Sequence, residues 1–143
     1  MKTLRHSVAL AAMLLMLLPA VWAQGGAQKM PPPRVYAMVF KADWCANCRA
    51  LGPKVMTILP AFIPKGVIPV QLDMTNQKTS ATALAAAGKL GLRKLAEGED
   101  GTGFIVLVDA RTKTKLGKIT ANMTPDEMKS AFERALTKTS ARS

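Results

Sequence analysis

The sequence predicts an α/β fold: strand, helix, strand, helix, strand, strand, helix, around a mixed four-stranded sheet. Three observations predict it. The run Val35-Tyr36-Ala37-Met38-Val39-Phe40 is apolar almost throughout, as a central strand buried on both faces requires. Segments with helical apolar spacing alternate with shorter strand-like runs, the pattern of crossover connections. A short turn after Asp109 joins the last two strands and makes them an antiparallel hairpin.

The elements follow in order. The first strand is Val35 to Phe40. Cys45 or Ala46 opens a helix expected to reach about Phe62, because Leu51, Val55, Ile58, Leu59 and Phe62 recur at the helical period. Pro53 falls inside it, removes one hydrogen bond and should kink it. Pro60 and Pro64-Lys65-Gly66 mark its end. Val67 to Leu72 is the second strand, and Pro69 within it suits an edge position because it has no N–H for a ladder. Asp73-Met74-Thr75-Asn76 leaves that strand. Thr79 or Ser80 is the expected cap of a second helix, running through alanine-rich sequence to about Leu90 and stopping near Gly91. Lys94 to Gly103 reads as a loop, polar and glycine-rich from Glu97 to Gly101. Phe104 to Val108 is the third strand, Asp109 to Thr112 a turn, and Lys115 to Thr120 the fourth strand. Thr124-Pro125-Asp126-Glu127 starts the last helix: threonine caps, proline takes the first turn, and Glu127 completes a capping box. Met128, Ala131, Phe132, Ala135 and Leu136 form its buried stripe. The first crossover is expected to be right-handed, which makes the first two strands parallel.

The N-terminus reads as an export signal. Lys2, Arg5 and His6 form a positive head, Val8 to Leu18 an apolar core, and Val21-Trp22-Ala23 a cleavage site. The apolar stretch is short of the ~20 residues a spanning helix needs. The expected organisation is a signal peptide at 1–23, a flexible Gly/Pro arm at 24–34, a domain at 35–138 and a disordered tail at 139–143. Cleavage removes the only histidine and leaves Trp44 as the sole tryptophan. The precursor carries 20 Lys and Arg against 9 Asp and Glu, a net charge of +11. Losing Lys2 and Arg5 leaves 18 against 9, or +9. Such a charge favours transient contact with acidic surfaces. The basic residues are scattered and aromatics are few, so no nucleic-acid partner is expected.

The chemistry lies in Trp44-Cys45-Ala46-Asn47-Cys48, which holds the only two cysteines. A helix N-terminus favours thiolate over thiol, so Cys45 is the candidate nucleophile. Cys48, one helical turn on, is close enough to close a disulfide. A loop this short removes little unfolded-chain entropy, which makes a purely structural staple a poor account. Zinc usually needs more ligands than two cysteines supply, and without histidine only a low-coordinate Cu(I) site or an intermolecular one remains. Arg49 stands where covalent haem attachment needs histidine. No cofactor and no resident metal are expected. Met38, Met56 and Met128 fall at core-like positions. Asp73, at the end of the second strand, is a candidate for proton transfer.

The element order resembles the thioredoxin superfamily, through Phe40-Lys41-Ala42-Asp43-Trp44-Cys45-Ala46-Asn47-Cys48-Arg49 and then Pro53. Ala42-Asp43-Trp44-Cys45, with the later Asp73-Met74-Thr75, looks most like the periplasmic thioredoxin-like domain of membrane thiol:disulfide interchange reductases. The resemblance spans Val35 to Leu136. It implies a minimal thioredoxin fold, with sheet order 2-1-3-4, helices on both faces, and no counterpart of full thioredoxin's first strand and helix. By position, Cys45 matches the exposed nucleophile and Cys48 the buried resolving thiol. Trp44 matches the tryptophan beside the disulfide. Lys41 and Arg49 are candidate cations for holding a thiolate, and Asp43 opposes them. The implied function is an exported, periplasmic thiol:disulfide oxidoreductase acting on protein thiols and disulfides, as reductant, with electrons from a membrane or periplasmic redox partner.

Two residues depart from the superfamily pattern. Val39 stands where thioredoxin has a buried acid. Thr102-Gly103-Phe104 stands where the superfamily usually has a cis-proline facing the cysteines, and Gly103 is the candidate for its backbone geometry. Both motivate the alternative function, a thioredoxin-like binding module or Cu(I) carrier without redox turnover.

Overall fold

The computed structural model describes residues 30–141. The elements are β1 (Val35–Lys41), α1 (Ala46–Ile58), two 3-10 turns (Leu59–Ala61 and Ile63–Lys65), β2 (Val67–Asp73), α2 (Gln77–Lys89), α3 (Arg93–Glu97), β3 (Phe104–Asp109), β4 (Lys115–Thr120) and α4 (Pro125–Ser140). The sheet order is β2-β1-β3-β4. β1 pairs parallel with β2 and antiparallel with β3, and β3 pairs antiparallel with β4. This is the expected mixed sheet in the expected order, with Pro69 on an edge strand.

Alternation along β1 explains its apolar run. Val35 and Ala37 face one core with Leu51, Val55, Met128 and Phe132, which places α1 and α4 on that face. Tyr36, Met38 and Phe40 face the other with Ala83, Ala87 and Leu92, beneath α2 and α3. Phe62 stacks on Phe132 in the first core, and Phe40 on Phe104 in the second.

Several boundaries differ from expectation. The first helix ends at Ile58, because Pro60 and Pro64 each open a 3-10 turn instead of continuing it. The second starts earlier, at Gln77. Its cap is Asn76, whose side chain accepts from Thr79 N at 3.0 Å while the Thr79 hydroxyl receives Asn76 N. Thr79 is therefore the third residue of a capping box and not the cap. The expected loop at 94–103 begins with a short helix, α3, held by buried Leu92 and Ala96 and by Arg93 and Glu97 one turn apart at 2.7 Å. α4 runs past 138 to Ser140, and Thr139 is buried with its hydroxyl on Leu136 O. Arg34, assigned to the arm, is tied down: its amide donates to Gly66 O and its guanidinium to Leu136 O at 2.8 Å. Met38 and Met128 are core residues, whereas Met56 is 72% exposed, off the inward stripe of α1. The expected leader and arm residues 24–29 lie outside the described residues.

Candidate active site

The register brings three loops to one end of the sheet. Lys41 lies opposite Asp73 on β2, and Phe40 opposite Phe104 on β3. The β1–α1 connection, the β2–α2 connection and the segment leading into β3 therefore meet there. The first carries Cys45, the N-cap of α1, which is bonded to Cys48 as a disulfide with Cα atoms 5.3 Å apart. Cys48 N donates to Cys45 Sγ at 3.1 Å, so the first cysteine's sulfur sits on the unsatisfied amides of the helix end. The pair can take up and release two electrons. Among the described residues, no group of three His, Cys, Asp or Glu is placed to hold a metal ion.

Gly103 comes to the disulfide, where the resemblance placed it. Its φ is +85°, its amide donates to Phe40 O at 2.8 Å, and no cis peptide bond occurs among the described residues. A Cβ at this position would lie 2.4 Å from Asn47 Cβ and 3.1 Å from Cys45 Sγ. Only a glycine brings backbone this close to the sulfur at this φ. Cys45 is 6% exposed beneath this contact, whereas Cys48 is half-buried. That reverses the exposure order expected from the resemblance.

The supporting residues divide. Lys41 turns to Asp73, with Nζ 3.3 Å from Oδ2. Asp73 holds the next loop in shape by accepting Thr75 N at 2.9 Å. Hydrogen bonds from Thr75, through its side chain and then its amide, together with Lys41, hold the Asp73 carboxyl down at about 2. A carboxyl held ionised this firmly is a poor proton carrier near neutral pH. Thr75 in turn receives Asp43 N on its hydroxyl at 3.1 Å and Trp44 Nε1 on its carbonyl at 3.0 Å. Trp44 is 64% exposed, its indole pinned at the nitrogen and its ring left open to solvent. Arg49 is exposed on the first turn of α1. Sequence reading missed the clasp by Thr75, although Asp73-x-Thr75 is the spacing of an Asx turn. It also missed Asn47, whose packing on Gly103 has no local sequence signal.

Val39 is half-buried beside the α1/α4 core. It borders a cavity of about 360 Å3 between α1 and the β2 edge, walled by Leu51, Gly52, Val55 and Leu59 and reached by Cys48 but not by Cys45. The Cys48 sulfur lies 3.8 Å from Phe40 O.

No protein-family model matches the sequence, and no curated protein does. Among solved structures, the chain is similar to dsbF of MTB, seen in mixed oxidized and reduced forms, at 16% identity over 73% of this chain and 82% of that one, with a TM-score of 0.50. StoA from Bacillus subtilis is 16% identical over 71% and 84%, with a TM-score of 0.47. Trxlp from Edwardsiella tarda is 13% identical over 68% and 80%, with a TM-score of 0.44. At such identities the likeness is one of fold. The fold is thioredoxin-like, with a 2-1-3-4 mixed sheet, and a Cys-x-x-Cys pair heads its first helix. Within that class it is a form with glycine against the disulfide and valine behind it.

Proposed function

We propose that the protein is an exported thiol:disulfide oxidoreductase that acts on protein disulfides as a reductant. The observation that carries this is the Cys45–Cys48 disulfide at the head of α1, with the bare backbone of Gly103 against it. In the reduced state Cys45 thiolate attacks a substrate disulfide and forms a mixed disulfide. Cys48 thiolate then attacks the Cys45 sulfur, releases the substrate thiolate and leaves the bond on this protein. Exposed Trp44, next to Cys45, suits contact with a partner chain.

The direction is supported by the charges. Strong oxidants of this kind owe their potential to a heavily stabilised thiolate. Here Cys45 has the amide of Cys48 and the helix end, while the charge of Lys41 is offset by Asp73. Modest thiolate stabilisation leaves the disulfide form favoured, which makes the dithiol a reductant. Its electrons come from a membrane or periplasmic redox partner. Export rests on the pattern of residues 1–23, and the protein isolated from the periplasm is expected to begin at Gln24.

The test is insulin reduction by the full protein beside Cys45→Ser, with the reduction potential of the pair. Turnover lost in the variant, with a potential near thioredoxin's about −270 mV, supports the proposal. A potential near about −120 mV would reverse the direction. No wild-type turnover, combined with tight Cu(I) binding, would replace this reading with the carrier.

A further inference from the structure

We propose that the end of the domain opposite the disulfide docks on an anionic lipid bilayer and holds the protein at the membrane surface with Cys45 and Cys48 turned away from it. The proposal rests on the export reading above and not on the redox one. Strand register gathers the charge. Val35 opens β1 opposite Val67 of β2 and Asp109 of β3, so the segments before β1 and β2 and the β3–β4 turn share one end of the sheet. Arg34, Lys65, Arg111 and Lys113 lie in those segments. Lys89 closes α2, and a Cβ at the nearby Gly91 would lie 3.4 Å from Lys113 Cε. Lys138, in the last turn of α4, donates to Leu116 O at 3.3 Å. Lys65, Lys89, Arg111 and Lys138 are exposed.

Little at this end cancels the charge. Lys65 lies over the Phe62 ring at 4.8 Å and Lys113 over the Tyr36 ring at 4.7 Å, while Lys113 and Lys138 donate to backbone carbonyls. None of these partners carries a net charge. The acid here is Asp109, buried, with its carboxylate on the amides of Arg111 and Thr112. The other acids lie elsewhere. Asp43, Asp73, Asp100, Asp126 and Glu127 stand at the disulfide end, and Glu133 midway along α4. Glu97 pairs with Arg93, and Glu99 with Lys115 and Lys118. The C-terminal ends of α2 and α4 favour Lys89 and Lys138 and offset part of the field. Lys65, Arg111 and Lys113 sit in turns, where no such long helix ends.

Two observations select a bilayer as the occupant. The cations come from the ends of separate elements and are spread across the end of the domain, which fits an extended anionic surface. The chain also enters the domain here. The Arg34 amide donates to Gly66 O, and Pro32 O lies 3.0 Å from where a Cβ on Gly66 would be. Ahead of it in the sequence is the apolar stretch Val8 to Leu18, and Pro19 to Met30 reaches at most about 40 Å when extended. While that stretch is held in a membrane, this end is the one nearest the headgroups. β1, seven residues long, sets the disulfide end about 23 Å further out. Docking of this kind confines the search for a membrane redox partner to the surface, and leaves the disulfide open to domains that project from the same membrane.

The experiment uses the chain from Gln24, which carries every described element and both cores. It is floated with vesicles of phosphatidylcholine alone or of phosphatidylcholine with phosphatidylglycerol. Binding is expected only where phosphatidylglycerol is present. It should be lost as salt rises from about 0.1 M to about 1 M and the screening length falls from about 10 Å to about 3 Å. Each lysine at an anionic surface is worth roughly fivefold in partitioning, so Lys65→Gln with Lys89→Gln should weaken binding about 25-fold. Lys78→Gln with Lys129→Gln removes the same charge from the other end. Lys78 is about 16 Å along α2 from Lys89, beyond the screening length, so this pair should change binding by no more than about twofold. Trp44, the sole tryptophan from Gln24 onward, should escape quenching by brominated lipid. No binding to phosphatidylglycerol vesicles, equal losses in the two double variants, or quenching of Trp44 would overturn the proposal. Insulin reduction without vesicles separates the claims: turnover beside failed vesicle binding defeats only this inference, and binding without turnover defeats only the redox reading. Recovery of the chain from the cytoplasm with residues 1–23 intact defeats the export reading.

Discussion

Gly103→Ala should destabilise the oxidised protein by about 2–5 kcal/mol. Two costs combine. An alanine held at a φ of +85° is in left-handed backbone, which costs about 1–2 kcal/mol. The new methyl would lie 2.4 Å from Asn47 Cβ and 3.1 Å from Cys45 Sγ, and overpacking of this kind costs about 1–3 kcal/mol. Against a total of about 5–15 kcal/mol for a domain, the loss is easily read in urea denaturation. The penalty should also depend on redox state. Reduction frees the Cys45 side chain to rotate away from the methyl, while the clash with Asn47 persists. The oxidised form should therefore lose more than the reduced form, and the variant should become the stronger oxidant, by about 30 mV for each 1.4 kcal/mol of difference. Gly103→Pro should be worse than alanine. Proline fixes φ near −65° and removes the amide that donates to Phe40 O at 2.8 Å, so restoring the superfamily residue breaks this site instead of repairing it. A loss under about 0.5 kcal/mol for Gly103→Ala, the level of an indifferent surface change, would refute the close-approach account.

Asp109→Ala should cost about 1–3 kcal/mol in the same assay, because the buried carboxylate accepts the amides of Arg111 at 2.9 Å and Thr112 at 3.0 Å and shapes the hairpin turn. Asp109→Asn, which keeps an acceptor oxygen, should lose less. Asp73 gives a pH signature: its pKa is lowered from 3.8 to about 2 by Thr75 and then Lys41, so its stabilisation is full above pH ~4 and lost as pH falls towards about 2. Stability curves of wild type and Asp73→Asn should therefore differ at neutral pH and converge by about pH 2, and a constant gap across that window would contradict the assignment. Trp44→Phe removes the donor to Thr75 O from an exposed ring, so stability should change by only about 0.5–1.5 kcal/mol. Insulin reduction should fall more than reduction of a small disulfide, and equal losses would place the ring outside the docking surface.

What was legible in the sequence was whatever depends on local pattern. The unbroken apolar run of β1 announced a strand buried on both sides, and Thr124-Pro125-Asp126-Glu127 announced its helix with the capping box seen: Thr124 N to Glu127 Oε2 at 2.7 Å and Glu127 N to Thr124 Oγ1 at 3.3 Å. The misreadings came where local signals compete. Asn76 and Thr79 both look like caps, and which one serves is decided by the reciprocal bond between them. Arg93 to Glu97 looked like loop because a helix this short has little periodicity, and the burial of Ala96 that fixes it is a tertiary fact. At the site, the cysteines were readable from their spacing and Gly103 from the resemblance. That Lys41 faces Asp73 depends on strand register, and that Thr75 clasps both Asp43 and Trp44 depends on two loops meeting.

Val39 and the exposure of Cys48 are two sides of one arrangement. A buried acid behind the resolving cysteine matters when that sulfur is sealed from water, because its proton then needs a carrier. Here the sequence puts valine at that place; of the carboxyls at this end of the sheet, Asp73 is held ionised by Thr75 and Lys41, and Asp43 is exposed. Cys48 is half-buried. α1 leaves the β2 edge partly uncovered near Pro69 and Gln71, both exposed, and Cys48 opens onto the gap. A proton on Cys48 can exchange with water there, without a side chain to relay it. The residue that removes the relay thus also walls the opening that makes a relay unnecessary. Closing the cavity with a larger side chain should therefore slow proton exchange at Cys48.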